Sequence, residues 1–130
     1  MLKNLLVPIK LIALSYAIFL MLFNNASYAQ VSAPKNLKID VDSTEATLSW
    51  NAPGSGQVNQ YFIYKAYSSS KDSDPTTLYF TKFDSTFTRY YTDDLSSVPK
   101  ATPIVFYYIT AEDSAKTESP QSKIVNTSLH

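Results

Sequence analysis

Side chains that could act as a catalytic base or nucleophile are scarce in this sequence. It contains one histidine, His130 at the last position, and no cysteine. Ser–His and Cys–His arrangements need an imidazole held close to the nucleophile, whereas chain termini are usually poorly ordered. Glycoside hydrolysis would need two carboxylates facing a cleft. We therefore predict that the protein is not an enzyme.

Acidic residues cluster where the hydrophobic runs end, which suggests turns rather than a metal site. The examples are Asp72, Asp74, Asp84, Asp93, Asp94 and Asp113. Aspartate is favoured in turns because its carboxylate accepts hydrogen bonds from the nearby backbone. Calcium needs about six to eight oxygen ligands, and its loops normally contain a glycine for the sharp turn, which these acids lack. We expect solvated turn residues, with no metal and no cofactor.

The N-terminal segment has the order of features that is typical of a secretory signal peptide. Lys3 and Lys10 precede an apolar run over residues 11–23, and Ser27 and Ala29 form a small-x-small cleavage site. The 13 residues of this run are fewer than the roughly 20 that cross a bilayer as a helix. We predict that residues 1–29 are removed and that the protein is exported to the periplasm, the cell surface or the medium. An uncleaved anchor is the alternative, and it would be the protein's one route to a membrane.

The remainder, residues 30–130, has the size of one domain and carries no strong charge. The whole chain balances 11 basic against 11 acidic residues, and two of the lysines lie in the N-terminal segment. This balance is not the basic surface that nucleic acids or anionic membranes attract. We expect no nucleic-acid partner.

Residues 30–130 are predicted to form short β-strands throughout. Apolar residues alternate with polar ones, and Ser, Asp and Pro separate the runs. The predicted strands cover residues 37–41, 46–51, 58–67, 76–83, 87–92, 105–111 and 122–127. Seven short strands with regular turn signals indicate an all-β sandwich.

Four sequence segments in order resemble the fibronectin type III family. They are Pro34 before the first strand, Trp50 late in the second, residues 61–65 (YFIYK) in the third and residues 107–111 (YYITA) in the sixth, which an acidic hairpin follows. The resemblance implies a seven-stranded immunoglobulin-like sandwich, with three strands (A, B, E) facing four (C′, C, F, G). It also implies that Tyr107 buries its ring while its hydroxyl bonds to upstream backbone. The hairpin at residues 114–117 lacks the family's glycine, so a left-handed position would fall on a residue that resists it.

Alternation then divides the strand residues between an inner and an outer face. The predicted core comprises Trp50, Tyr61, Ile63, Tyr107, Ile109 and Ala111. The predicted outer face carries Phe62, Tyr64, Phe106 and Tyr108. Tyr108 in the inner position would turn Ile109 outward, so the two registers are distinguishable.

The outer aromatic face has two interpretations. A contiguous exposed aromatic patch favours a binding platform for a protein or a polysaccharide. Cross-strand aromatic pairs also stabilise a half-exposed sheet by a few tenths to about 1 kcal/mol each, with no ligand involved. We predict a non-catalytic module that mediates protein interaction. A carbohydrate-binding accessory protein and a spacer without a ligand are the alternatives.

Overall fold

The computed structural model describes residues 29–128, so the predicted signal peptide lies almost entirely outside the described residues. The strands are β1 (Lys35–Val41), β2 (Glu45–Asn51), β3 (Gln60–Ser68), β4 (Thr81–Thr86), β5 (Tyr90–Asp94), β6 (Ile104–Glu112) and β7 (Val125–Asn126). A single 3-10 turn at Pro75–Thr77 is the only helical element among residues 29–128. None of the described segments is a helix with the length and hydrophobicity to span a bilayer.

The strands form two antiparallel sheets, which confirms the predicted sandwich. One sheet has the order β1-β2-β5 and the other has the order β4-β3-β6-β7. This is the predicted arrangement of three strands facing four. The central pair, β3 and β6, is in register over nine residues from Gln60 opposite Glu112 to Ser68 opposite Ile104.

The core lies between the sheets and is built from alternate residues of the long strands. It contains Val31, Leu37, Ala46, Leu48, Trp50, Tyr61, Ile63, Val105, Tyr107, Ile109 and Ala111. Tyr107 and Ile109 are both fully buried, so β6 has the register in which these two residues face inward. Trp50 contacts Tyr61 edge-on, with ring centroids 5.3 Å apart, and so joins the two sheets at the centre of the core.

The fourth predicted strand was placed too early in the sequence. The prediction covered residues 76–83, but β4 spans Thr81–Thr86. The Asp74 carboxylate accepts from the backbone N–H of Thr76 at 2.9 Å and starts the 3-10 turn there. Proline at the first position of that turn favours the same conformation. A local cap therefore outweighed the β-propensity of the following residues.

The β6–β7 connection bears out the concern about its missing glycine. Lys116 adopts φ 66°, a left-handed conformation that residues with a Cβ rarely occupy. The Asp113 carboxylate accepts from the N–H groups of Ala115 and Thr117, each at 2.9 Å. These hydrogen bonds to the Asp113 carboxylate stabilise the turn, which has Lys116 rather than glycine at its left-handed position.

Candidate functional site

The structure separates the four residues of the predicted outer face into an accessible group and a buried one. Phe62, Tyr64 and Tyr108 are half-buried on the outside of the four-stranded sheet. Phe106 is 1% exposed although it lies outside the inter-sheet core, so the expectation that it is accessible was wrong. Elsewhere on this face, Phe80, the last residue of the β3–β4 connection, packs on Tyr108 with ring centroids 4.8 Å apart. A connection that folds back over a sheet is a tertiary contact that strand alternation does not reveal.

The accessible aromatic rings of this face pack against one another. Tyr64 stacks on Tyr108 with centroids 4.5 Å apart and an interplanar angle of 19°. The Lys82 ammonium lies 3.7 Å from the centroid of the Phe62 ring and 5.6 Å from that of Tyr64. We call Phe62, Tyr64, Phe80, Tyr108 and Lys82 the outer row. Because Tyr108 is flanked by Tyr64 and Phe80, its ring has little free surface for a ligand.

Glu118 is the polar centre of the outer row. Its Oε1 accepts hydrogen bonds from the Tyr64 hydroxyl and from the Thr110 hydroxyl, the latter at 2.5 Å. Its Oε2 accepts from Lys82 Nζ at 3.1 Å. Partial burial raises the pKa of Glu118, but the hydrogen bonds from Thr110, Tyr64 and Lys82 outweigh it and leave that pKa below its usual value. Partial burial, together with the bond to Glu118, raises the pKa of Tyr64.

A second cluster with the same chemistry lies between the sheets, beside the edges formed by β4 and β5. Lys65 Nζ lies 2.6 Å from Asp93 Oδ2, and each side chain is only 4% exposed. The Tyr107 hydroxyl donates to the same oxygen at 2.6 Å. The Lys65 ammonium also lies 4.0 Å from the centroid of the Phe83 ring. We call Lys65, Asp93, Tyr107 and Phe83 the inner cluster.

The inner cluster corrects two expectations drawn from the sequence. Asp93 was expected to be a solvated turn residue, but it points inward from β5 and pairs with Lys65 on the opposite sheet. The Tyr107 hydroxyl was expected to bond to upstream backbone, but it bonds to the Asp93 side chain. Burial, with the bond to Asp93, raises the pKa of Tyr107, so the hydroxyl keeps its proton and acts as a donor.

One sequence signal could have revealed half of the inner cluster. Lys65 shares the inner face of β3 with Tyr61 and Ile63, and a buried lysine requires a charged or strongly polar partner. That partner lies on the other sheet, and several aspartates precede β6 in the sequence. Choosing Asp93 among them requires the packing of the two sheets.

The most exposed aromatic residues belong neither to the predicted core nor to the predicted outer face. The five are Tyr67 (43%), Tyr79 (86%), Phe83 (48%), Phe87 (80%) and Tyr90 (62%). Phe83, Phe87 and Tyr90 lie in the segment that runs from β4 in one sheet to β5 in the other, which we call the β4–β5 segment. Strand alternation did not single these residues out, because Tyr79 and Phe87 lie in connections and Tyr67 and Tyr90 lie near strand ends. Phe83 lies within β4, where the register with β3 shifts.

Among residues 29–128, no three His, Cys, Asp or Glu side chains come together in a group that could hold a metal ion. Most of the acids in the connections satisfy their own backbone instead. Asp94, for example, accepts from the N–H of Ser96 at 2.8 Å. This bond holds the pKa of Asp94 below its usual value.

Known folds resemble the chain closely enough to show its architecture. An Fn3-like protein from Clostridium thermocellum is 23% identical with a TM-score of 0.54, over 74% of this chain and 90% of that one. A human FNIII domain is 14% identical with a TM-score of 0.57, over 79% of this chain and 82% of that one. A β-1,2-glucanase from Parabacteroides distasonis is 27% identical with a TM-score of 0.52 over 78% of this chain, which spans only 14% of the glucanase.

This chain also matches parts of other longer chains. One example is a structure of titin kinase and its flanking domains, and the match covers 17% of that chain. No family model and no curated protein matches the sequence.

Proposed function

We propose that this protein is an exported, non-catalytic module that binds a protein partner through its β4–β5 segment. The chain has the fibronectin type III fold, which in general serves binding and structural modules. The observation that carries the proposal is the exposure of Phe87 and Tyr90, at 80% and 62%. Aromatic residues, Tyr and Phe among them, are enriched at protein interfaces relative to the rest of the surface.

The β4–β5 segment is better suited to a partner than the outer row is. Phe87 projects from the turn between two edge strands, β4 and β5, where no neighbouring strand covers it. The Tyr64 and Tyr108 rings already stack on each other. A partner would therefore gain apolar burial at Phe87 without first separating a packed pair, and about 25 cal/mol is gained per Å² of apolar surface removed from water.

Polysaccharide binding through the outer row is the second candidate. It is favoured by the half-exposed Tyr64 and Tyr108 beside the Glu118 carboxylate, and by the likeness to a segment of a β-1,2-glucanase. Sugars stack on open aromatic faces, however, and the packing of Tyr64 and Tyr108 leaves mainly ring edges available. This candidate therefore requires the outer row to open.

Export rests on residues 1–29 and has its own test. We expect the protein recovered outside the cytoplasm to begin at Gln30, after the small-x-small site. N-terminal sequencing of the protein from cell envelope and medium measures this directly. Recovery of the intact chain from the cytoplasmic fraction alone would contradict export.

Binding is tested by comparing three variants with the wild-type protein in pull-downs from the cell envelope and culture medium of the source organism. Phe87→Ser combined with Tyr90→Ser should abolish retention of the partner. Tyr79→Ser is the matched control, because Tyr79 is 86% exposed but lies outside the β4–β5 segment. Tyr64→Ala combined with Tyr108→Ala tests the outer row, with retention on insoluble polysaccharides as the readout. Equal retention of the partner by the Phe87→Ser/Tyr90→Ser variant and by the control would contradict the proposal.

A further inference from the structure

The Lys65–Asp93 pair bridges the two sheets in close contact and away from water. Lys65 belongs to β3 in the four-stranded sheet, and Asp93 belongs to β5 in the three-stranded sheet. Their N–O distance is 2.6 Å, and both side chains are 96% buried. By contrast, the ion pair between Lys82 and Glu118 has an N–O distance of 3.1 Å and is much more exposed.

The surroundings of this pair would favour condensation over hydration. Holding two reacting groups in contact supplies effective molarities of up to about 10⁵–10⁸ M in favourable cases. The Phe83 ring, 4.0 Å from the ammonium, and the buried Tyr107 ring limit access of water to the pair. A site that excludes water also favours loss of water from an amine and a carboxylic acid.

The Tyr107 hydroxyl is placed where a leaving oxygen would need a proton donor. It donates to Asp93 Oδ2, the same oxygen that contacts Lys65 Nζ. A fixed donor in a buried site stabilises charge that develops on an oxygen at no cost in reorganisation. Tyr107 is fully buried, so its hydroxyl is held at this oxygen rather than shared with solvent.

From this geometry we propose that Lys65 and Asp93 condense into an intramolecular amide that joins the two sheets covalently. The ammonium first passes one proton to the carboxylate, which leaves a neutral amine beside a carboxylic acid. The amine nitrogen attacks Cγ of Asp93, the new Nζ–Cγ bond forms, and the Cγ–Oδ2 bond breaks. Oδ2 leaves as water with the second nitrogen proton, relayed by the Tyr107 hydroxyl, so one ammonium and one carboxylate yield one amide and one water.

The amide would give this chain a cross-link that its composition otherwise lacks. The chain has no cysteine and therefore no disulfide. A covalent link between distant residues restricts the unfolded chain much as a disulfide does. Unlike a disulfide, an amide resists reduction.

Tryptic peptides of the folded full-length protein test the proposal independently of N-terminal processing. An amide at Lys65 blocks cleavage there, so residues 39–71 should appear linked to residues 90–100, with a mass one water below the sum of the two. Lys65→Arg is the matched control, since arginine keeps the charge opposite Asp93 but should give separate peptides. Tyr107→Phe, which removes the donor, should lower the linked fraction at least tenfold.

Two results would overturn the proposal. One is recovery of residues 39–65 and 90–100 as separate peptides of unmodified mass from the folded wild-type protein. The other is loss of water within residues 90–100 alone, because that product is an internal imide of the aspartate. Linked peptides in the wild-type protein that disappear in Lys65→Arg would support it.

Discussion

The inner cluster and the outer row are built from the same parts in two different environments. Each joins a lysine, a carboxylate and a tyrosine hydroxyl, and each lysine lies over an aromatic ring. The inner pair, Lys65 and Asp93, is 4% exposed on both sides, whereas Lys82 and Glu118 are 44% and 29% exposed. Charges interact far more strongly where water is excluded, but burying them also costs more. The comparison therefore shows how one set of side chains can be essential in one place and marginal in another.

The largest difference should appear when each carboxylate is removed. Asp93→Ala leaves the Lys65 ammonium buried without a partner, which should cost about 3–5 kcal/mol of unfolding free energy. Glu118→Ala should cost about 1 kcal/mol or less, because water can solvate Lys82. Urea unfolding of the two variants measures both values. Equal losses would show that burial does not separate the two clusters.

A double substitution separates the cost of an unpaired charge from the worth of the pair. Lys65→Met combined with Asp93→Leu replaces both charges with apolar groups of similar size. It should recover the part of the Asp93→Ala loss that comes from the unpaired ammonium, since well-packed apolar replacements of buried ion pairs are often neutral. The loss that remains measures the contribution of the proposed covalent link, which the double variant cannot form.

Removing the tyrosine hydroxyls should also cost more unfolding free energy in the inner cluster than in the outer row, but the difference should be smaller. Tyr107→Phe removes a buried donor to a carboxylate and should cost about 1.5–3 kcal/mol. Tyr64→Phe removes a donor from a half-exposed carboxylate that keeps Thr110 and Lys82 as partners, and it should cost about 0.5–1 kcal/mol. Urea unfolding at neutral pH gives both numbers. A larger loss for Tyr64→Phe would reverse the ranking of the two sites.

Acid should weaken the outer row through Glu118. Folding lowers the pKa of this carboxyl, so its contribution is complete above the unfolded value of about 4.3. That contribution is lost as the pH falls through the lower pKa of the folded state. Glu118→Gln should therefore flatten the fall in stability between about pH 5 and pH 3. An unchanged pH profile in this variant would assign the acid sensitivity to other carboxyls.

The smallest effect should be the response to salt. The Lys82–Glu118 pair is partly exposed, so about 1 M salt should screen most of its attraction. Lys82→Met should lose less than about 1 kcal/mol at low salt and almost nothing at high salt. Thermal melts at two ionic strengths compare the variant with the wild type. A loss in Lys82→Met that is the same at both ionic strengths would point to the ring contact with Phe62 instead.

Much of the fold could be predicted because strand alternation is a local signal. The inner faces of β3 and β6 follow from residues two apart, and Tyr61, Ile63, Tyr107 and Ile109 are all buried as that pattern predicts. The order of the segments around Trp50 suggested which strands face each other. The start of β4 was wrong because the Asp74 cap, rather than strand propensity, determines the local structure there.

The candidate sites were harder to predict, because each depends on segments that are distant in the sequence. Alternation places Phe106 on the outer face, yet the tertiary structure buries it. The β3–β4 register shifts between Ile63 and Tyr64, so alternation does not carry across to Phe83. The exposed Phe87 lies in a turn, where alternation gives no orientation.

The sequence by itself determined that this chain forms a β-sandwich with Trp50 in its core, and strand alternation places Lys65 on the same face of β3 as Tyr61 and Ile63. Those features follow from residue type and a period of two, which act over a few residues. Only the tertiary structure decided that Asp93 meets that lysine, that Tyr107 donates to the same oxygen and that Glu118 takes the equivalent place outside. Which side chains meet between the two sheets depends on how the sheets pack. That packing is determined by contacts between distant segments, which the alternation along a single strand does not specify.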